Sequence, residues 1–267
     1  MKTRNFFVTA VISAAVTVVF TVSTMAQIVV TPTNTQGWST DETTGGGQVN
    51  FVVDSTAPAG VGALQLLTTG PADRAQYQHA TATLFADISE LSYYTRQISG
   101  PPEASAAYQL ESCLNGGTTP ATCGYTTLNF EPYFNPQLGA IVPNVWQSWD
   151  VDSGLFWSTR SVTCSNGTIV GGAGGSGGLY TLSALRTACP TAFTFFHYVN
   201  IGSGATLPYN IYTDLVNFNG TTYDFEPYAV ATNKDQCKNG GWQTFVRADG
   251  SPFRNQGDCV SYVNTGR

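Results

Sequence analysis

Charge is scarce in this 267-residue chain: Asp, Glu, Lys and Arg make up 10% of it, and acidic residues outnumber basic ones 17 to 11. Non-specific binding to nucleic acid or anionic membrane rests on phosphate neutralisation by Lys and Arg, so nucleic acid is not expected as a partner. Histidine is scarcer still. His79 and His197 lie far apart in sequence and no CxxC pair occurs among the six cysteines, so the ligand spacing of a zinc site is missing. There is no DxDxDG-type calcium loop and no Glu-x-Asp-x-x-Glu string. Gly174-Gly175-Ser176-Gly177-Gly178 matches the nucleophile-elbow string only formally. That motif needs a buried strand leading into a helix and a histidine partner, and here it sits in a polyglycine loop.

The single long apolar run is N-terminal. Lys2 and Arg4 precede an apolar core over 6–22, and Thr24-Met25-Ala26 places small residues ahead of Gln27, the pattern of a secretory signal peptide over 1–26. Thr9, Ser13, Thr17 and Thr21 dilute the run, against an uncleaved membrane anchor. No other stretch approaches the roughly 20 apolar residues of a spanning helix, so a secreted, extracellular protein is expected. Without Lys2 and Arg4 the chain keeps nine basic against seventeen acidic residues, a net of −8. An even cysteine count in an exported chain reads as disulfides, and order along the chain favours Cys113–Cys123, Cys164–Cys189 and Cys237–Cys259.

What is abundant is strand pattern. Short alternating runs separated by Gly, Pro and Asn turns predict an all-β fold over 27–231: an antiparallel jelly-roll β-sandwich with one short helix at 181–188, capped by Thr181 and stopped by Pro190. The tail, 232–267, is expected to form a small hairpin from 242–246 and 253–263, clipped by Cys237–Cys259. Three of the five tryptophans fall in 146–159, which Ser153-Gly154 divides into two short runs suited to adjoining strands. Around Asn115-Gly116-Gly117, residues 107–114 and 125–133 read as a hairpin locked by Cys113–Cys123. With those cysteines facing each other, Leu110 opposes Thr126, Tyr108 opposes Leu128 and Ala106 opposes Phe130, which puts the apolar residues on one face.

The other face of that hairpin carries Gln109, Glu111, Tyr125, Asn129, Glu131 and Tyr133. Trp146 shares a strand face with Asp150, while Trp149 and Val151 point to the core. Flat aromatic surface beside amides and carboxylates suits a ring-shaped polyhydroxylated ligand. The plainer alternative is a solvated sheet face. Glu111 and Glu131 share a face, yet the expected register holds them roughly 20 Å apart, too far for the roughly 5–9.5 Å of a glycosidase pair. His197, between Phe196 and Tyr198, reads as a satisfied sheet histidine rather than a base. Asp214 is a candidate calcium ligand, since hard cations take oxygen donors.

Asp214-Leu215-Val216-Asn217, the Asn219-Gly220 turn and the Trp146–Trp149 strand together resemble jelly-roll carbohydrate-binding modules of secreted bacterial polysaccharide-degrading systems. The tail, Lys234-Asp235-Gln236-Cys237-Lys238-Asn239-Gly240-Gly241-Trp242 with Asn255-Gln256-Gly257-Asp258-Cys259-Val260-Ser261-Tyr262, resembles the end of uncharacterised exported bacterial proteins. The first resemblance implies aromatic sugar platforms and often a structural calcium; the second implies export and no known activity. The expectation is a secreted, monomeric, non-catalytic protein that binds glycan, with no cofactor beyond a possible calcium. A glycoside hydrolase or polysaccharide lyase on the same scaffold, and a structural envelope protein without ligand, are the alternatives.

Overall fold

The structure, a computed structural model, describes residues 26–117, 119–172, 177–202 and 208–266. The signal segment ahead of Ala26, and Gly174-Gly175-Ser176 of the glycine loop, lie outside the described residues. In chain order the strands are β1 (Ala26–Val30), β2 (Trp38–Ser39), β3 (Gln48–Val53), β4 (Gly62–Thr68), β5 (Arg74–Leu84), β6 (Leu91–Ser99), β7 (Ala107–Cys113) and β8 (Tyr125–Phe130). Then follow β9 (Gln147–Asp150), β10 (Leu155–Ser158), β11 (Val162–Thr163), β12 (Ile169–Val170), β13 (Tyr180–Thr181), β14 (Phe193–Gly202), β15 (Tyr209–Phe218) and β16 (Thr221–Phe225). The helices are α1 (Leu182–Ala188) and α2 (Gln256–Thr265).

Two seven-stranded sheets carry the fold. In the first, β15 pairs with β6 on one side, which continues to β9; on its other side it pairs with β4, leading to β3, and with β16, leading to β1. The second runs β13-β10-β8-β7-β14-β5-β2. Every pairing within these sheets is antiparallel except β1 with β16. Between the sheets lie the bulkiest buried side chains, among them Trp149, Tyr93, Tyr108, Phe130 and Phe156. Their polar tips are matched: Tyr93 Oη donates to Ala106 O at 2.6 Å, Tyr108 Oη to Asn217 O at 2.9 Å and Trp149 Nε1 to Thr95 Oγ1 at 2.7 Å. Aromatic bulk fills the space between the sheets without leaving these donors orphaned.

The all-β sandwich, the three disulfides and α1 with its Thr181 cap stand as expected. Thr181 accepts from Ala184 N at 3.1 Å. Asn219 (φ 53°) and Gly220 (φ 78°) make the tight turn between β15 and β16, both in the left-handed region that such a two-residue turn demands.

Three expectations need correction. The first concerns the β7–β8 hairpin, which is shifted by two residues: Tyr108 opposes Phe130, Leu110 opposes Leu128 and Cys113 opposes Tyr125. Gly124 (φ 68°) turns the chain back on itself, so Cys123 reaches Cys113 with 5.1 Å between Cα atoms without lying opposite it in the ladder. An even shift leaves every side chain on its assigned face. Second, the two halves of the tryptophan segment join different sheets, β9 pairing with β6 in one and β10 with β8 in the other. The chain crosses between them at Gly154, where a Cβ would stand 2.3 Å from the Phe130 ring. Third, the C-terminal half of the tail is helical, not a strand. Asn255 caps α2 by accepting from Asp258 N at 2.9 Å, Asp258 sits in the first turn, and Gly266 (φ 70°) ends it. Such caps favour helix over a strand that would bury little. Only Val246 and Pro252 pair as a hairpin would. Cys237–Cys259 does clip the tail, beneath a small cluster of its own formed by Ala231, Phe253 and the cystine, with Trp242, Phe245 and Tyr262 packed against it.

Candidate functional site

The register of the second sheet lines up outward-facing side chains across its strands. Trp157 lies opposite Asn129, Asn129 opposite Gln109, Gln109 opposite Tyr198, and Tyr198 opposite Gln78. This row spans β10, β8, β7, β14 and β5, roughly 19 Å at about 4.8 Å between strands. One rung away, Ala107, Asn200 and Gln76 form a second row. The carboxamides are bonded to one another or to backbone: Gln76 Nε2 donates to Gln78 Oε1 at 2.8 Å, Asn200 Nδ2 to Gln76 Oε1 at 3.3 Å, Gln109 Nε2 to Asn129 Oδ1, and Asn129 Nδ2 to Thr127 O at 3.1 Å. Each carboxamide offers two N–H donors and two lone pairs, so these bonds orient the groups and leave capacity for a ligand.

Apart from Gln78, which lies beyond its edge, the two rows form the floor of a trough of about 520 Å³. Its lining extends to Glu103, Tyr133 and Tyr209, with Glu103 exposed and Tyr133 46% exposed, whereas Asn129, Tyr198 and Asn200 on the floor are buried. Glu131 is fixed at one end: Trp157 Nε1 donates to its Oε2 at 2.6 Å, and the Tyr133 hydroxyl bonds to the same carboxylate. Burial pushes the Glu131 carboxyl above its usual range while those two bonds pull it back. Burial, then the Glu131 charge, likewise raises the Tyr133 phenol, so its donor stays protonated. Arg74 also lines the trough, but its guanidinium is matched by Glu42 at 2.8 Å.

Of the residues singled out in the sequence, Gln109, Asn129, Glu131 and Tyr133 meet in this trough. Glu111 and Tyr125 lie further along the same face, joined by a bond from Tyr125 Oη to Glu111 Oε1 at 2.9 Å. Burial raises the Glu111 carboxyl, and it raises the Tyr125 phenol to about 12. Trp146 and Asp150 do not join them. Asp150 is in β9 of the first sheet and Trp146 immediately precedes that strand, and the crossover at Gly154 separates both from β10; Trp146 is half-buried and Asp150 exposed. Trp149 and Val151 are core, as read from alternation. Glu131 stands level with Ala107, four residues from Glu111, so the corrected register still leaves the two carboxylates roughly 13 Å apart along the strands. Sequence reasoning missed Trp157, Tyr198, Asn200 and Gln76. Trp157 and Tyr198 had usable alternation; Gln76 lies on a strand whose outward residues gave no apolar signal.

The candidate calcium ligand, Asp214, is buried in a carboxylate corner. Its Oδ1 accepts from Phe225 N at 3.0 Å, and its Oδ2 has no partner. Burial, with added repulsion from Asp224 and Glu226, pushes it up to about 8. Asp224 accepts from Gln27 Nε2 at 2.8 Å and also leaves one oxygen unpartnered. Glu226 accepts from Val61 N at 2.9 Å, and burial raises it to about 7. Two unpartnered buried carboxylate oxygens suit a hard cation. Among the described residues, no three His, Cys, Asp or Glu side chains converge around one point.

Among the described residues no helix is long and apolar enough to cross a membrane. No protein-family model matches this sequence, and no curated protein matches it. The solved structures similar to it include three at 10% identity. The family 11 carbohydrate-binding module of the cellulosomal cellulase Lic26A-Cel5E of Clostridium thermocellum has a TM-score of 0.35, over 71% of this chain and 89% of that one. A family 11 module from Clostridium thermocellum in complex with a β-1,3-1,4-mixed-linked tetrasaccharide gives 0.35, over 72% and 91%. The cellulose-induced protein Cip1 gives 0.34, over 68% and 89%. Likeness this distant is too slight to speak for a ligand.

Proposed function

We propose that this protein binds carbohydrate in the trough on the outer face of the second sheet, outside the cell, as a monomer and without cleaving its ligand. The observation that carries the reading is the row Trp157–Asn129–Gln109–Tyr198: oriented carboxamides bracketed by aromatic rings, the chemistry that meets hydroxyls and apolar sugar faces together. Three cystines and the signal-peptide pattern support an extracellular setting. Glu103 and Glu131 line the trough, and the guanidinium that lines it, Arg74, is paired with Glu42, which favours neutral glycans over uronic or sulfated ones. A glycan-array screen of the oxidised protein tests the reading. Neutral glycans should be retained, and Gln109→Leu with Asn129→Leu should lose them. Retention of acidic glycans only, or an unchanged array in the double variant, refutes it.

Glu131, raised by burial, and exposed Glu103 on the same trough favour a second reading as a hydrolase, with Glu131 as proton donor. Release of reducing ends from a bound glycan, lost in Glu131→Gln, would establish that reading over the first. We also propose that Asp214 and Asp224 hold a calcium ion, supported by their unpartnered oxygens.

A further inference from the structure

β14 carries an irregularity beside the trough. Thr194 pairs with Ser112 of β7 and Phe196 with the very next residue, Glu111, so Phe195 is an extra residue on β14. A bulge of this kind re-aims side chains and breaks the alternation of faces. Here Thr194 is buried, while Phe193, Phe195 and Phe196 all remain partly exposed, on the side of the sheet that carries Tyr198. Phe195 lies 5.4 Å from the Phe193 ring and 6.3 Å from Phe196, and its plane is within 14° of Tyr125 at 6.0 Å. Polar groups edge the patch: the Glu111 carboxylate holds the Tyr125 hydroxyl, and the exposed Arg160 guanidinium stands 4.8 Å from the Tyr125 ring centroid.

The patch and the trough are continuous. Tyr125 follows Thr127 of the trough lining by one outward position, as Glu111 follows Gln109 and Phe196 follows Tyr198, a step of roughly 6.6 Å along each strand. Their directions differ. The trough floor crosses the strands, whereas the patch leaves it sideways from its middle strands, β8, β7 and β14.

We propose that the bulge builds a second contact zone for a branch on the glycan, so that the ligand is a decorated polysaccharide. This rests on the reading of the trough as a glycan site. The main chain lies across the strands on the carboxamide row; a side unit leaves it at right angles and lays its apolar ring face against Phe195 and Tyr125, with hydroxyls toward Glu111 and Arg160. A linear chain confined to the trough would leave those rings unused.

Calorimetric titration with matched oligosaccharide pairs that share a backbone tests this: cello-oligosaccharide against xyloglucan oligosaccharide, xylan against arabinoxylan, and mannan against galactomannan. In at least one pair the decorated member should bind wild type about three- to tenfold more tightly, the range expected for one stacked ring. Phe195→Leu, which keeps apolar volume and removes the ring, should bring the decorated member down to the affinity of its bare partner, and Phe195→Tyr should keep the preference. Matched thermal midpoints establish that the variants are folded. Binding of bare chains with no preference in any pair, or a preference that survives in Phe195→Leu, overturns the branch zone while leaving the trough. Absence of binding by every member overturns the trough reading, and the branch zone with it.

Discussion

Replacing His197 by phenylalanine should stabilise this protein, and more so in acid. His197 is 1% exposed, faces His79 across the β5–β14 pairing with ring centroids 5.1 Å apart, and stacks on Phe218 at 4.3 Å. Neither of its ring nitrogens has a hydrogen-bond partner. The rings around the pair are Trp38, Tyr108, Phe218 and Tyr223, none of which carries charge near neutrality, so nothing offsets a proton placed there. Burial, reinforced by His79, holds the imidazole well below its ordinary range. A depressed histidine means that the unfolded chain binds a proton which the fold refuses, so stability falls as pH drops below the unfolded value of about 6.5. The loss is about 1.4 kcal/mol per pH unit, or at most about 2.7 kcal/mol at pH 4.5. Buried carboxylates such as Glu131 and Asp214, whose folded values are raised, pull in the opposite direction over the same range. The informative quantity is therefore the difference between wild type and His197→Phe, in which the carboxylates cancel. Urea unfolding followed by tryptophan fluorescence, with disulfides intact, should find the variant equal to or more stable than wild type at pH 7.5, because two unpartnered nitrogens are gone. Its advantage should grow by up to about 2.7 kcal/mol by pH 4.5. A difference that stays constant with pH, or a variant several kcal/mol weaker at pH 7.5, refutes the reasoning.

Other outcomes follow from single contacts. Asp214 (about 8) and Glu226 (about 7) have folded values above their unfolded ones, so stability should decline as pH rises from about 4 to 8; calcium bound at Asp214 should remove that decline, and identical melting curves in calcium and EDTA would rule the ion out. Cys113→Ser with Cys123→Ser opens a loop with a sequence separation of 10 and should lower stability by about 2.7 kcal/mol in chemical denaturation, while peptide mapping of the variant should show Cys164–Cys189 and Cys237–Cys259 intact. Gly154→Ala would press a methyl into the Phe130 ring at the crossover between sheets, and a loss of about 1–3 kcal/mol is expected, against no change if β9 and β10 did not diverge there.

Much of this architecture is legible in the residues. Alternation in 88–96 puts Leu91, Tyr93 and Thr95 on one face, and all three are buried. The faces of β7 and β8 are right even though their register is not, because a two-residue shift hides from a period-two pattern; Gly124 is the cause, and its left-handed turn is invisible to hydrophobicity. β5 gives no readable strand pattern, for a physical reason. Its outward side chains include Gln76 and Gln78 and its inward ones Ala75, Tyr77 and His79, so polar residues lie on one face and small or polar-tipped ones meet the core on the other. Gln76, the β5 residue on the trough floor, is hidden with it. Trp157 was in view but grouped with Trp146 by closeness in sequence, when Gly154 sends them to opposite sheets. The tail had a readable signal that alternation obscured: Asn255, then Asp258 three residues later, then Gly266, is a capped helix.

The trough as the glycan site is tested most directly through its indole. With the side-chain N–H signals of the tryptophans resolved by 15N NMR, titration with a glycan retained on the array should move Trp157, whose Nε1 is bonded to Glu131 at 2.6 Å beside the carboxamide row, and leave Trp146 on the opposite sheet in place. A shift at Trp146 with Trp157 unmoved would contradict the account.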